Sequence, residues 1–166
     1  DGKPDMLVAN NSSSTISVFI NTSSTTLSFA SKVDYTTGAS PYTITTSDVN
    51  GDGKLDMLVV NQNSASASVF LNNGDGTFAT KVDYTTGSIP RSITASDVNG
   101  DGKLDMLVAN YSSNTASIFI NTSTSTFSFA SKVDYTTGTA PYSITTSDVN
   151  GDGKPDMLVA NSSSNT

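Results

Sequence analysis

Asp48, Asn50, Asp52 and Asp56 stand at positions 1, 3, 5 and 9 of the stretch Asp-Val-Asn-Gly-Asp-Gly-Lys-Leu-Asp. The stretch returns as Asp97, Asn99, Asp101 and Asp105, and again, with Pro at its eighth position, as Asp148, Asn150, Asp152 and Asp156. Oxygen donors at alternate positions suit Ca2+, which takes about six to eight hard oxygen ligands at about 2.3–2.6 Å. The backbone carbonyls of Lys54, Lys103 and Lys154, at position 7, would add one ligand each, their ammonium groups pointing to solvent. The chain must bend sharply after position 5, and Gly53, Gly102 and Gly153 stand there, where a Cβ would be strained. Val49, Val98 and Val149, at position 2, are predicted to face inward and pin each loop to its sheet. Mg2+ fits less well because it keeps several waters, and zinc is poorly served without His or Cys.

Asp1, Lys3 and Asp5 repeat only the second half of the loop. They could ligate a cation only with help from residues outside the given sequence or from another chain. An opening in mid-motif, without Met, predicts that the sequence is a piece of something longer.

Every acidic residue is an aspartate, and only Asp34, Asp75, Asp83 and Asp134 lie outside the loop positions. The net charge of −7 is therefore mostly ligand charge, and bound Ca2+ would offset most of it. The 8 basic residues are spread singly and form no phosphate-tracking patch, which argues against a nucleic-acid partner. No apolar run is long enough for a membrane-spanning helix, so no membrane insertion is expected. Absence of Cys removes disulfide evidence for secretion without opposing it.

The loops recur about every fifty residues, dividing the chain into repeats 1–51, 52–100 and 101–151, with 152–166 beginning a fourth. Around the first complete loop lie four strand-like runs at 42–46, 57–60, 67–71 and 78–84, rich in β-branched and aromatic residues. No window carries a helical stripe. Pro41, Pro90 and Pro141 precede the first run, where a missing N–H does little harm. The middle repeat replaces Asn21-Thr22-Ser23 and Asn121-Thr122-Ser123 by a tight Asn72-Asn73-Gly74-Asp75-Gly76 turn. Four antiparallel strands per repeat of about fifty residues predict an all-β fold of β-propeller blades, three blades plus the start of a fourth.

EF-hand and dockerin loops need an acid at position 12 and flanking helices. Position 12 is Val59, Val108 or Val159, and the flanks read as strands. Repeat-in-toxin coils need Gly-Gly-x-Gly-x-Asp nonapeptides, which are absent. A strand, Asp-x-Asn-x-Asp-Gly-x-x-Asp, then a strand such as Met-Leu-Val-Ala-Asn resembles the FG-GAP/VCBS repeat, the calcium-bearing blade of integrin-α-type propellers and of many secreted microbial proteins. The resemblance covers the whole chain. It implies a propeller, usually of seven blades, with Ca2+ in a hairpin loop at the rim of each blade. The phenylalanine-glycine element is not cleanly present, Phe29, Phe78 and Phe129 being nearest to it. Membership fixes no single function, since integrin heads, lectins and adhesins share the repeat.

Three blades cannot close a ring, so further blades of the same protein or other copies of the chain are the expected partners. Catalysis is not expected, because His, Cys and Glu are absent and most Asp residues are committed to metal. Weak calcium loops need millimolar Ca2+, which favours an extracellular setting. Three readings stay open. The first is a calcium-binding module for adhesion or recognition of an extracellular protein or glycan; the second is a structural subunit stacking into a fibre or surface layer. The third is a carbohydrate-binding lectin. Asp34, Asp83 and Asp134 in Lys-Val-Asp-Tyr-Thr-Thr-Gly suit strand ends and turns, while Tyr35, Tyr84 and Tyr135 suit a blade-to-blade contact or a glycan platform. Tyr42, Arg91 and Tyr142 occupy one equivalent, variable position where packing, exposure and ligand contact all remain open. Asn-x-Ser/Thr sequons at Asn10, Asn11, Asn21, Asn110, Asn121 and Asn161 are either glycan acceptors or plain turn chemistry.

Overall fold

A computed structural model describes residues 1–164, and among these every regular element is a β-strand. One sheet holds β4 (Pro41–Ser47), β5 (Asp56–Asn61), β6 (Ser66–Phe70) and β7 (Val82–Thr85), paired in that order. The next holds β8 (Pro90–Ser96), β9 (Asp105–Asn110), β10 (Thr115–Phe119) and β11 (Val133–Thr136), and all pairings in both are antiparallel. Before them comes a three-stranded sheet of β1 (Met6–Asn10), β2 (Thr15–Phe19) and β3 (Val33–Thr36). After them comes the pair β12 (Pro141–Ser147) and β13 (Asp156–Asn161).

The repeat period survives in the sheets, but the sheets are out of phase with a division at the aspartate loops. Each loop joins the first two strands of one sheet, so a cut at 51 or 100 runs through a sheet. The described chain thus holds two complete four-stranded blades flanked by a three-stranded and a two-stranded one, in an arc that is not closed. The fourth strand is shorter than the run 78–84 predicts. Phe78 makes only a single bridging pair with Asn72, and the ladder resumes at Val82.

Apolar side chains fill the spaces between sheets. Ile16, Val18, Met57, Val59 and Phe70 pack between the first two, Leu58, Val60, Val69, Met106 and Val108 between the next two. Leu107, Ala109, Ala116 and Ile144 close the third junction. β5 and β9 are covered on both faces, which explains why each reads as an unbroken apolar run rather than an alternating one. Burying each such Val, Leu or Met contributes about 1.5–3 kcal/mol. Tyr35 reaches across to the next blade, edge-on to Phe70 and Phe78, and its hydroxyl accepts the Phe78 amide at 3.2 Å. Tyr84 does the same with Phe119 and Phe129. Two of the three recurring tyrosines are therefore blade-to-blade contacts, whereas Tyr135 is 50% exposed.

Asp34, Asp83 and Asp134 act within blades. In the first complete blade the Asn61 amide donates to Ser68 Oγ at 2.9 Å, Ser68 Oγ donates to Asp83 at 2.6 Å, and Lys81 pairs with Asp83. Asn10–Ser17–Asp34–Lys32 and Asn110–Ser117–Asp134–Lys132 repeat the same rung. A polar rung across three strands holds their register, because a slip would strand buried polar groups.

Candidate metal centre

Each aspartate loop is shaped by its own side chains. Asp48 Oδ1 accepts the amides of Gly51 and Asp52 at 2.8 and 3.0 Å, and its Oδ2 accepts Gly53 N–H at 2.8 Å. Asn50 Oδ1 takes the Asp52 amide and Asp52 Oδ1 the Lys54 amide, both at 3.0 Å. Such consecutive turns need left-handed backbone, supplied by Gly51 (φ 77°) and Gly53 (φ 83°). Asp97, Asn99 and Asp101 repeat the pattern, as do Asp148, Asn150 and Asp152. The Gly102 and Gly153 amides, foremost, hold the carboxyls of Asp97 and Asp148 below the usual carboxylate range. In the half-loop, Asp1 accepts the Lys3 amide at 3.0 Å.

Position 9 anchors the loop to its blade. Asp56 and Asp105 are fully buried. Asp56 Oδ2 accepts the Val49 amide at 3.0 Å, and its Oδ1 accepts the Asn72 amide at 2.8 Å. Burial pushes the Asp56 carboxyl up, its two backbone donors oppose this, and the nearby charges of Asp52 and Asp48 add to the rise. Asp105 binds the Val98 and Asn121 amides in the same way, and Asp5 binds Asn21. In the last loop Asp156 takes the Val149 amide.

Asn21, Asn72 and Asn121 are site residues that sequence reasoning did not assign. Each lies 16 residues after a position-9 aspartate, and that constant offset was the available signal. Asn121, 1% exposed, also donates to Leu104 O at 3.0 Å and to Val49 O of the preceding blade at 2.8 Å. It thereby stitches one blade's loop to the next. The first half of one loop faces the second half of its neighbour across a cleft, Asp48–Gly51 against Gly102–Leu104 and Asp97–Gly100 against Gly153–Pro155.

Two details differ from expectation. Lys54 turns its ammonium back onto Asp52 at 3.3 Å instead of pointing to solvent, as Lys3 does onto Asp1 at 3.7 Å. Val49 and Val98 face inward, but Val149 is 64% exposed. Val49 is covered by the following blade, and no following blade lies over Val149 among the described residues.

Among the described residues, no three acidic side chains gather closely enough to form a ready-made metal cluster. The donors nonetheless suit a hard cation in kind. A carboxylate oxygen has two lone pairs; Oδ1 of Asp48, Asp97 and Asp148 each accepts two amides, but Oδ2 accepts one and keeps acceptor capacity for a cation. Asp48, Asn50, Asp52, Asp56 and the Lys54 carbonyl would hold an ion in the first complete loop. Asp97, Asn99, Asp101, Asp105 and Lys103 would do so in the second, and Asp148, Asn150, Asp152, Asp156 and Lys154 in the third. Of the sequons, Asn10, Asn21, Asn110 and Asn121 spend their side-chain amides on internal hydrogen bonds, and Asn11, although exposed, donates its own to Pro41 O at 3.3 Å.

No curated protein matches the chain. The FG-GAP-like repeat matches residues 1–59, 48–108 and 97–159, each match running from one aspartate loop through the next and into the strand beyond. Together the matches span nearly all of the sequence, and the chain belongs to the FG-GAP-like repeat family.

Proposed function

We propose that this chain is an extracellular, non-enzymatic blade module whose aspartate loops bind Ca2+ and whose blades serve adhesion or recognition. The observation that carries the reading is the threefold recurrence of one loop geometry at the blade junctions. In each, two carboxylates and an asparagine curl around a pair of left-handed glycines while a third carboxylate is drawn toward the blade. Carboxylates brought together repel, and a bound dication would neutralise them and rigidify the junction. Asp48, Asp97 and Asp148 would present oxygens already held by amides. Asp56 and Asp105 would pass the rigidity to Asn72 and Asn121, and Asn121 would carry it to the preceding blade through Val49 O.

An extracellular setting follows from the millimolar Ca2+ that weak, exposed loops need. Thermal unfolding with CaCl2, with MgCl2 and with a chelator tests the reading. Calcium should raise the melting temperature markedly and magnesium much less; equal melting in all three sinks it.

A second reading rests on Tyr135. Tyr35 and Tyr84 are each covered by a phenylalanine pair of the next blade, whereas Tyr135 is exposed. A further blade would complete the contact, supplied by the same protein or by another copy stacking into a fibre or surface layer. Electron microscopy of the purified material separates rings from filaments.

A further inference from the structure

Tyr42, Arg91 and Tyr142 are the second residues of β4, β8 and β12, strands that lie along the inner edge of three successive blades. Each is the extra residue of a β-bulge. Pairing steps from Pro41↔Asn61 to Thr43↔Val60, from Pro90↔Asn110 to Ser92↔Ala109, and from Pro141↔Asn161 to Ser143↔Ala160. Bulges re-aim side chains, and these three are aimed at one another. The residues before the prolines are left-handed, Ser40 at φ 57°, Ile89 at 50° and Ala140 at 57°. For β-branched Ile89 that conformation is a true outlier, held by its surroundings.

The side chains meet at one point. The Tyr42 and Tyr142 hydroxyls are 2.7 Å apart. The Arg91 guanidinium carbon lies 4.8 Å from the ring centres of both Tyr42 and Tyr111 and 5.5 Å from that of Tyr142. Arg91 is the chain's single arginine. Lys3, Lys32, Lys54, Lys81 and Lys132 each pair with an aspartate two residues away, but among the described residues Arg91 pairs with none. Its Nε is buried without a hydrogen-bond partner.

The cluster therefore has a surplus of donors. A guanidinium carries five N–H groups, and one Tyr hydroxyl must donate to the other while the acceptor keeps its own proton to give. With N–H groups spent on Tyr42 and Tyr142, the Nε–H still lacks a partner, and among the described residues no carboxylate answers the guanidinium. Aromatic rings occupy the faces of the guanidinium, so a ligand must approach through its plane. A planar carboxylate suits such a slot, because its two oxygens match the arginine fork. Tyr42 and Tyr142 are 38% and 46% exposed and offer ring surface beside it.

We propose that Arg91, Tyr42, Tyr111 and Tyr142 form a binding site for the carboxylate of an acidic sugar, at the bulged end of β4, β8 and β12. The site lies about 20 Å from the aspartate loops, the length of a seven-residue strand. It deepens the recognition reading without depending on calcium.

Glucuronate titrated into the full chain tests it, read by tyrosine fluorescence because the chain has no Trp. Saturable binding is expected with CaCl2 and with a chelator alike, and none for methyl glucoside. R91Q should weaken binding about tenfold or more while still melting cooperatively. R91K, which keeps the charge but not the fork, should weaken it as well. No saturable response, equal binding by R91Q, or tighter binding of sulfate overturns the proposal. Tighter binding of N-acetyl-aspartate would overturn the sugar and point to an acidic protein partner. Glucuronate binding without any calcium shift in melting keeps this site and removes the calcium reading; the reverse result does the opposite.

Discussion

The two ends of the blades are built on opposite plans. At one end, three aspartate loops repeat the same residues, the same amide contacts and the same left-handed glycines. At the other end, one position is Tyr42, Arg91 or Tyr142, and another is Asn11, Gln62, Tyr111 or Ser162. Uniformity suits a job every blade must do, which is to dock on the next. Variety suits a surface formed once, where blades contribute different groups to one cluster. Stability should therefore concentrate at the loop end and ligand recognition at the bulged end.

Substitution should break this comparison if it is wrong. The largest effect is expected from Asp105→Ala, which leaves the buried amides of Val98 and Asn121 without an acceptor. Denaturant unfolding should show a loss of about 2–5 kcal/mol. Tyr84→Ser should cost about 2–4 kcal/mol by opening the gap beside Phe119 and Phe129, while Tyr135→Ser should change stability by less than about 0.5 kcal/mol. Equal costs for that pair would mean that the tyrosines do not act between blades. Asn121→Ala, which cuts the ties to Leu104 and Val49, should cost about 1–3 kcal/mol in the same assay. Among the substitutions expected to destabilise, the smallest effect falls to Arg91→Gln, at about 1 kcal/mol through its lost aromatic contacts. A larger loss there would make the bulged end a structural clasp.

Much of this is legible in the sequence. The loops announced themselves because their residues are contiguous, and the strands because β5 and β9 read as unbroken apolar runs. The runs at 42–46, 57–60, 67–71 and 78–84 match the strands of the first complete sheet, whereas repeat boundaries drawn at 51 and 100 do not follow the sheets, because the loop joins two strands of one sheet. Asn72 and Asn121 escaped notice because their partners lie 16 residues away and their role needs a folded junction. The meeting of Tyr42, Arg91 and Tyr142 depends on three bulges and on the curvature of the arc, neither of which leaves a local mark. Position 2 of the loop predicts Val49, Val98 and Val149 alike inside, but burial at that position is conferred by a neighbouring blade.

The most direct test of the loop end is calorimetric titration of the calcium-free chain with CaCl2. The account predicts saturable binding of three Ca2+ per chain, one for each complete loop, falling to two in Asp97→Asn. Absence of saturable heat, with melting unchanged by calcium, would contradict it and leave the aspartate loops as turns held by their own amides.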